Sequence, residues 1–152
     1  RFPDAKLLPP AASELERMRQ ISDLCFVAST LHPIVTRIRL PHFFAGPGAA
    51  RSVHEAGCKA MHEYFQSIET RLTNGPWWYG SSWSAMDAYL SWVHWRVTGA
   101  GFPAGDYPSF NEHSTRSEQR PSVQRALARE QEAQLELESQ GLAFKPPPLP
   151  GS

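Results

Sequence analysis

The stretch that most constrains the fold of this chain is residues 80 to 98, which have the pattern of a helix with its own start signal. Ser84 and Asp87 have the Ser-x-x-Asp spacing of a capping box, in which the hydroxyl and the carboxylate each accept a hydrogen bond from the backbone N–H of the other residue. Past the cap, apolar side chains occupy every face of the helix. They are Met86, Tyr89, Leu90, Trp92, Val93, Trp95 and Val97. A helix of this kind is surrounded by other helices, so the sequence predicts an all-α domain.

Four further stretches show helical periodicity, and no stretch shows a convincing strand pattern. The first runs from an N-cap at Ser13 to about residue 40. Pro33 lies inside it, and its missing N–H and bulky ring predict a kink near residues 29 to 32. The other three cover residues 49 to 73, 109 to 118 and 121 to about 139, separated by Pro- and Gly-rich segments. The sequence therefore predicts a bundle of about five helices.

Composition indicates a globular protein with one domain. The 152 residues suffice for one buried core, and 41% of them are hydrophobic while 20% are charged. Fifteen basic and fifteen acidic residues cancel, so we expect binding neither to nucleic acid nor to a membrane. No apolar run approaches the roughly 20 residues of a membrane span, and no signal-peptide pattern is seen, so a cytoplasmic location is expected. Cys25 and Cys58 could pair, but in that compartment we expect free thiols.

The two ends of the chain differ from the predicted helical domain, which covers residues 13–141. Residues 1–12 are rich in proline, which favours extended chain, and they have the composition of an inter-domain linker. Residues 142–152 form a Pro-rich tail that is expected to be extended. Because the chain has no initiator methionine, we expect it to begin within a linker that follows another domain.

Three segments now support a family resemblance. The glycine, aromatic residue and Ser-x-x-Asp of residues 80–87 resemble the capping-box and staple motif of the glutathione transferase C-terminal domain. Residues 2–9 resemble the segment that joins the thioredoxin-like domain of those enzymes to their helical domain. Residues 120–123 resemble the Arg-Pro-x-Val element that opens the closing helix of the bacterial enzymes. The resemblance covers nearly the whole chain in the right order, and it implies the helical domain of a bacterial, beta-class-like glutathione transferase.

The resemblance also implies roles for residues of the first helix. Residues 24–32 look like the helix of beta-class enzymes whose Leu-His-Lys faces the sulfur of bound glutathione, and His32 falls on that histidine. Ser29 falls on a hydroxyl position that reaches the γ-glutamyl group of glutathione held by the partner subunit. Two positions depart from the family pattern. Cys25 stands where those enzymes have an Asn that also touches the γ-glutamyl group, and Pro33 replaces the Lys, so the mode of glutathione binding stays open.

Thiol chemistry gives His32 an auxiliary catalytic task. Glutathione attacks electrophiles as a thiolate, whereas a free thiol with a pKa of about 8.5 is mostly protonated at neutral pH. His32 could stabilise the anion by a hydrogen bond or by its charge. The resemblance further implies that an apolar electrophile sits against the first and third helices. The candidates by position are Thr36, Arg37, Leu40, Trp92, Trp95 and Arg96. For the tryptophans, packing in the core is the competing interpretation.

The same resemblance implies what this chain lacks. In the family, the main activating residue and the backbone that holds the peptide belong to an N-terminal thioredoxin-like domain, which we do not expect within these 152 residues. The expected activity of the intact protein is conjugation of glutathione to apolar electrophiles, as in detoxification, by a homodimer. This chain alone is expected to be inactive. Two alternatives stay open: a non-catalytic protein-interaction module of the same fold and a carrier of apolar ligands.

His54, Cys58 and His62 recur every four residues and raise the question of a metal site. At a rise of 1.5 Å per residue the outer pair lies about 12 Å apart, whereas zinc needs each ligand within about 2.3 Å. One ion therefore cannot bind all three side chains, and we expect no metal.

Overall fold

A computed structural model describes residues 5–46 and 48–145. Over these residues the chain forms six α-helices: α1 Glu14–Phe26, α2 His32–Arg39, α3 Ala50–Leu72, α4 Ala85–Thr98, α5 Pro108–Glu118 and α6 Pro121–Ser139. A π-helical turn at Val27–Leu31 joins α1 to α2, and a short 3-10 helix at Pro41–Phe43 follows. Since α1 and α2 are continuous through that turn, the helices form five rods. The predicted all-α bundle is confirmed.

The predicted start signals of two helices are present. The Ser13 hydroxyl accepts a hydrogen bond from the backbone N–H of Glu16 at 3.2 Å, at the start of α1. At the start of α4 the capping box of Ser84 and Asp87 is formed. Its carboxylate accepts from the backbone N–H of Ser84 at 2.8 Å and also from the Ser84 hydroxyl at 2.8 Å. Donors that a helix leaves unsatisfied at its N-terminus are thus satisfied locally.

The core lies between α2, α3, α4 and α5. Its fully enclosed side chains include Leu31, Val35, Ile38, Met61, Phe65, Ile68, Met86, Leu90, Val93 and Phe110. Phe65 is at the centre, with ring centroids 4.6 Å from Phe102 and 4.7 Å from Phe110. Gly57 allows α3 to approach α2 closely, because a Cβ at this position would lie 3.0 Å from the Ile38 side chain.

The first and last helices contribute little to this core. The apolar stripe of the first rod is continuous in sequence, yet its first half is exposed: Leu15 by 62%, Met18 by 58% and Ile21 by 47%. Helix α6 has no buried residue. Both helices therefore leave large apolar side chains exposed, among them Leu135 at 58% on α6.

The described part of the predicted linker is bonded to the helical domain. The Leu7 carbonyl accepts from the backbone N–H of Ala85 at 2.7 Å, and the Pro9 carbonyl accepts from the buried side-chain amide of Gln20 at 3.0 Å. The predicted tail lies, from residue 146 onward, outside the described residues, as do residues 1–4 of the linker. None of the helices described combines the length and apolar character needed to cross a lipid bilayer.

Candidate functional site

The π-helical turn lies where the sequence predicts a kink. The N–H of His32 donates to the carbonyl of Val27, five residues earlier, where an α-helix would use the fourth. Pro33 follows at once, and its ring would clash with the carbonyl of Ser29 in a regular α-helix. A wider turn before the proline relieves that clash. Such π turns are frequent at functional sites, and this one contains Ser29 and ends beside His32.

The His32 side chain is exposed, but α4 holds it in place. Its Nδ1 atom lies 2.6 Å from the Tyr89 hydroxyl, and its ring centroid is 4.6 Å from that of Trp92. Burial raises the pKa of Tyr89, so this hydroxyl keeps its proton at neutral pH. When the hydroxyl donates to Nδ1, the neutral imidazole carries its proton on Nε2. A fixed ring with an N–H on Nε2 is suited to donate to an anion.

Ser29 and Cys25 lie on the same rod, and both are exposed. The Ser29 hydroxyl donates to the backbone carbonyl of Cys25 at 2.6 Å. Its proton is therefore used within the helix, while its oxygen lone pairs can still accept a hydrogen bond. The structure brings Cys25, Ser29 and His32 to consecutive turns of one exposed stretch.

Residues predicted for the apolar pocket on α2 have mixed surroundings. Thr36 is half-buried, and its hydroxyl donates to the carbonyl of His32 at 3.2 Å. The Arg37 guanidinium lies 5.4 Å from the centre of the Phe44 ring. Leu40 is half-buried at the end of α2. These three residues therefore border an exposed surface beside the 3-10 helix.

Residues predicted for the same pocket on α4 border a different space. Trp92 and Trp95 line a cleft of about 590 Å³ between α4 and α6. Arg96 lies beside it, with its guanidinium carbon 4.3 Å from the Trp95 ring centre and a nitrogen 3.9 Å from a Glu130 carboxylate oxygen. The pKa of Arg39 is lowered, first by burial and then by the positive charge of Arg96. The side chains of Arg39 on α2 and Arg96 on α4 therefore lie close enough to repel each other. The structure thus divides the predicted pocket into two surfaces, which Trp92 connects through its contact with His32.

Sequence reasoning missed the far wall of the cleft, which α6 supplies. Its apolar lining consists of Trp83, Trp92 and Trp95 on one side and Val123, Ala126 and Leu127 on the other. The helical spacing of the three α6 residues was a usable signal, but their position opposite α4 depends on how the helices pack.

A buried hydrogen-bond network around Asp87 was missed as well. Asp87 is fully buried, and besides the two bonds from Ser84 it accepts from the backbone N–H of Trp78 at 2.7 Å and from Nε2 of the buried His113 at 3.0 Å. Burial raises the pKa of Asp87, but these hydrogen bonds outweigh burial and hold it below the ordinary value. The network ties α4 to α5 and to the loop before α4, which is a structural role.

The His54, Cys58 and His62 side chains do not converge. His54 Nδ1 lies 2.8 Å from the carbonyl of Ile38 and its Nε2 lies 3.5 Å from the Cys58 sulfur, whereas His62 Nδ1 lies 2.7 Å from the Tyr107 hydroxyl. Within residues 5–46 and 48–145 no three metal-ligating side chains form a group. Both cysteines are free thiols, as the sequence predicts.

The fold is similar to solved bacterial glutathione S-transferases. A beta-class enzyme from Sphingomonas chungbukensis is 30% identical with a TM-score of 0.70. The bacterial transferase BphK, solved as a ternary complex, is 25% identical with a TM-score of 0.71. A sphingomonad transferase complexed with glutathione is 25% identical with a TM-score of 0.70. Each alignment covers 84% of this chain and 60% of the other.

No protein-family model matches the sequence, and no curated protein matches it significantly. The architecture is nevertheless that of the glutathione transferase C-terminal helical domain. More particularly, the chain resembles that domain of the bacterial beta class, as the sequence motifs predict. It spans about 60% of the length of these solved relatives.

Proposed function

We propose that this chain is the helical domain of a glutathione S-transferase that conjugates glutathione to apolar electrophiles. The observation that carries the proposal is the placement of His32, exposed at the end of a π turn with its ring held by Tyr89 and Trp92. The sphingomonad relative was solved with glutathione, which supports glutathione as the thiol. A thioredoxin-like domain would supply the main thiol-activating residue.

In this proposal His32 stabilises the glutathione thiolate as an auxiliary group. An N–H on Nε2 that donates to sulfur favours the charged form and so lowers the pKa of the thiol. Ser29 accepts from the ammonium of a γ-glutamyl group, because its own proton is already donated to the Cys25 carbonyl. Cys25 lies on the same exposed stretch and contacts that group only weakly, since a thiol is a poor hydrogen-bonding group.

The apolar electrophile would lie against the surface that begins at Thr36, Arg37 and Leu40. Two exposed rings extend this surface, Phe43 with 66% and Phe44 with 49% of their area accessible. Trp92 joins this surface to α4 through its contact with His32, whereas Trp95 and Arg96 lie beside the cleft between α4 and α6. Exposed aromatic side chains of this size are typical of a surface that binds an apolar molecule or a second domain.

The proposal is tested by calorimetric titration of the chain with glutathione and with S-hexylglutathione. We expect heat from the hexyl conjugate, which adds apolar contact area, and weaker heat from glutathione. His32→Ala should weaken glutathione binding by roughly tenfold, the usual cost of a hydrogen bond to a charged group. Gln66→Ala, an exposed change on α3, is the control and should leave both titrations unchanged. Equal binding of both ligands by His32→Ala and Gln66→Ala would contradict the proposed role of His32.

We further propose that the exposed stripe of Leu15, Met18 and Ile21 on α1 is a contact surface of a homodimer. Three large apolar side chains that are about half exposed or more on one helix face favour burial by a partner. Sedimentation should show a dimer that Ile21→Glu dissociates and that Arg19→Glu, on the same helix, leaves intact. A monomer in all three cases would instead favour the second candidate function, a non-catalytic module that uses this stripe to bind another protein.

A further inference from the structure

Helices α2 and α4 pack side by side along a seam, which is lined by His32, Thr36 and Arg39 on α2 and by Tyr89 and Arg96 on α4. The Nδ1 atom of His32 lies 2.6 Å from the hydroxyl of Tyr89, which is 57 residues away in the sequence. Arg39 and Arg96 are separated by the same number of residues, because each lies seven positions further along its own helix. Seven residues make about two helical turns, so the arginines continue the faces that meet at His32 and Tyr89. The far end of the α2–α4 seam therefore holds two cations.

These two cations repel each other and have little opposite charge around them. Burial, and then the positive charge of Arg96, lowers the pKa of Arg39. Within the part of the chain that the structure describes, Arg39 forms no ion pair, and Arg96 has only Glu130, with a nitrogen 3.9 Å from a carboxylate oxygen. Each arginine lies in the last turn of its helix, whose dipole offsets part of a positive charge. That compensation does not require the two arginines to meet, so it does not account for their meeting.

Both arginine side chains are accessible to a ligand. Arg39 is half-buried, and the side chain of Arg96 is 26% exposed. The Glu130 side chain is 55% exposed, and an ion pair this open to water contributes little. Two arginines and one glutamate leave a net charge of one positive unit, which a monoanion would neutralise. A carboxylate suits the site best, because the planar guanidinium fork matches its two oxygens.

We propose that the electrophile carries a carboxylate, and that this group binds between Arg39 and Arg96. The inference rests on the proposed function, because it places the reacting carbon at the glutathione sulfur beside His32. From His32 to Arg39 the helix rises by about 10 Å at 1.5 Å per residue. An apolar segment of roughly that length, passing over the half-buried Thr36, therefore joins the reacting carbon to the carboxylate. The substrate class is an electrophilic acid with an apolar body, and the two arginines determine the preference for its charged end.

The carboxylate site is tested first without glutathione, by equilibrium dialysis of the full chain against octanoate and 1-octanol. Octanoate should bind about tenfold more tightly, the usual gain from a hydrogen bond between charged groups. Arg39→Met keeps an apolar stem of similar length and should remove this preference. Arg125→Met, an exposed change on α6, is the control and should leave the preference within twofold. No preference for octanoate in the parent protein, or a preference that survives Arg39→Met, would overturn the proposed site.

Replacing Glu130 changes the affinity in the opposite direction. Glu130→Gln removes the carboxylate that competes for Arg96, so octanoate should bind about threefold more tightly while 1-octanol is unaffected. Glu132→Gln, exposed on the same helix, removes an equal charge elsewhere and should have no effect. Equal octanoate affinities in the two variants would refute the pairing of the anion with Arg96. Circular dichroism melts of both variants would show that the fold is retained.

A second pair of ligands connects the carboxylate site to the electrophile. S-octylglutathione and S-(7-carboxyheptyl)glutathione have chains of equal length, and only the second ends in a carboxylate. The second should bind about tenfold more tightly to the parent protein, and the two should bind equally to Arg39→Met. S-carboxymethylglutathione, whose carboxylate lies too near the sulfur to reach Arg39, should bind equally to both proteins. Equal affinities of the two long conjugates for the parent protein would overturn the proposed substrate class.

His32→Ala separates this inference from the proposed function. The variant should weaken the binding of both long conjugates and leave the binding of octanoate unchanged, because His32 contacts the sulfur and not the carboxylate. If His32→Ala leaves the conjugates unaffected while their difference still depends on Arg39, the proposed role of His32 is wrong and the carboxylate site stands. A loss of octanoate binding in His32→Ala would mean that the anion binds at His32, and would refute the site between the arginines.

Discussion

Replacing Asp87 by Asn removes one charge from a polar network whose side chains are almost fully enclosed. The Asp87 carboxylate accepts four hydrogen bonds, two at each oxygen: from the Trp78 N–H at 2.7 Å and His113 at 3.0 Å, and from the N–H and hydroxyl of Ser84 at 2.8 Å each. An asparagine amide has one acceptor oxygen and one donor nitrogen. Whichever way the amide turns, its N–H₂ group faces groups that donate.

The least costly orientation points the amide nitrogen at Ser84, because that hydroxyl can rotate and accept. The Ser84 backbone N–H then loses its acceptor in a buried position, at about 1–3 kcal/mol. Two remaining bonds, from Trp78 and His113, lose their charge assistance, at about 1 kcal/mol each. A neutral asparagine costs less free energy to bury than an ionised carboxylate, and this difference offsets part of the loss. We expect Asp87→Asn to reduce the free energy of unfolding by about 3 kcal/mol, the sum of these terms.

Thermal unfolding followed by circular dichroism measures the effect. A domain of this length loses about 2–4 °C of Tm per kcal/mol, so Tm should fall by roughly 6–12 °C. Asp106→Asn, an exposed aspartate in the loop before α5, is the control and should change Tm by about 1 °C or less. A Tm for Asp87→Asn within about 2 °C of the parent protein would refute this account of the network.

The pH dependence supplies an independent check on the same residue. The pKa of Asp87 is lower in the folded state than the ordinary value near 3.9, so the unfolded chain binds the extra proton first as pH falls. The stabilisation is therefore fully present above about pH 5 and is lost as pH falls through the folded-state pKa. The difference in Tm between the parent protein and Asp87→Asn should shrink below about pH 4. A constant difference down to pH 2 would contradict the assignment.

Three further predictions concern the thiols, one turn and the core. Burial and the charge of Glu55 raise the pKa of Cys58, so at pH 8 iodoacetamide should alkylate the exposed Cys25 at least tenfold faster, as measured by mass spectrometry of digests. Gly80→Ala should cost about 1–3 kcal/mol in a denaturant titration, since Gly80 has φ +91°, which side-chain-bearing residues rarely adopt. Phe65→Ala should cost about 3–5 kcal/mol in the same assay, because the ring is fully buried among aromatic neighbours.

The fold was accessible from the sequence where local signals decide it. The cap at Ser13 and the capping box at Ser84 satisfy donors within three residues, and their chemistry does not depend on the rest of the domain. The exposed first half of the α1 stripe could not be predicted in the same way. Helical spacing of Leu15, Met18 and Ile21 shows that these residues share a face, but only the packing of the whole domain decides whether anything covers it.

The candidate site was predictable to a lesser degree. The position of Pro33 indicated an irregular turn, although the sequence could not tell a kink from the π turn that the structure contains. The partners of His32 were not predictable, because Tyr89 is 57 residues away and reaches it only through the packing of α4 against the first rod. The burial of Ser117, a residue of α5 that borders the α4–α6 cleft, carries no sequence signal at all, since a serine on a polar stretch of helix is ordinarily exposed.

Pro33 explains why this site is arranged differently from a regular helix. A lysine at this position, as in the family motif, would keep its backbone N–H and would not clash with the carbonyl of Ser29, so no wide turn would be required. With proline, the N–H of His32 bonds to Val27 across a π turn, and the extra residue in that turn changes the direction of every side chain that follows. His32 reaches Tyr89 and Trp92 in this register. One of the two residues that depart from the family pattern, Pro33, is thus the residue that positions His32.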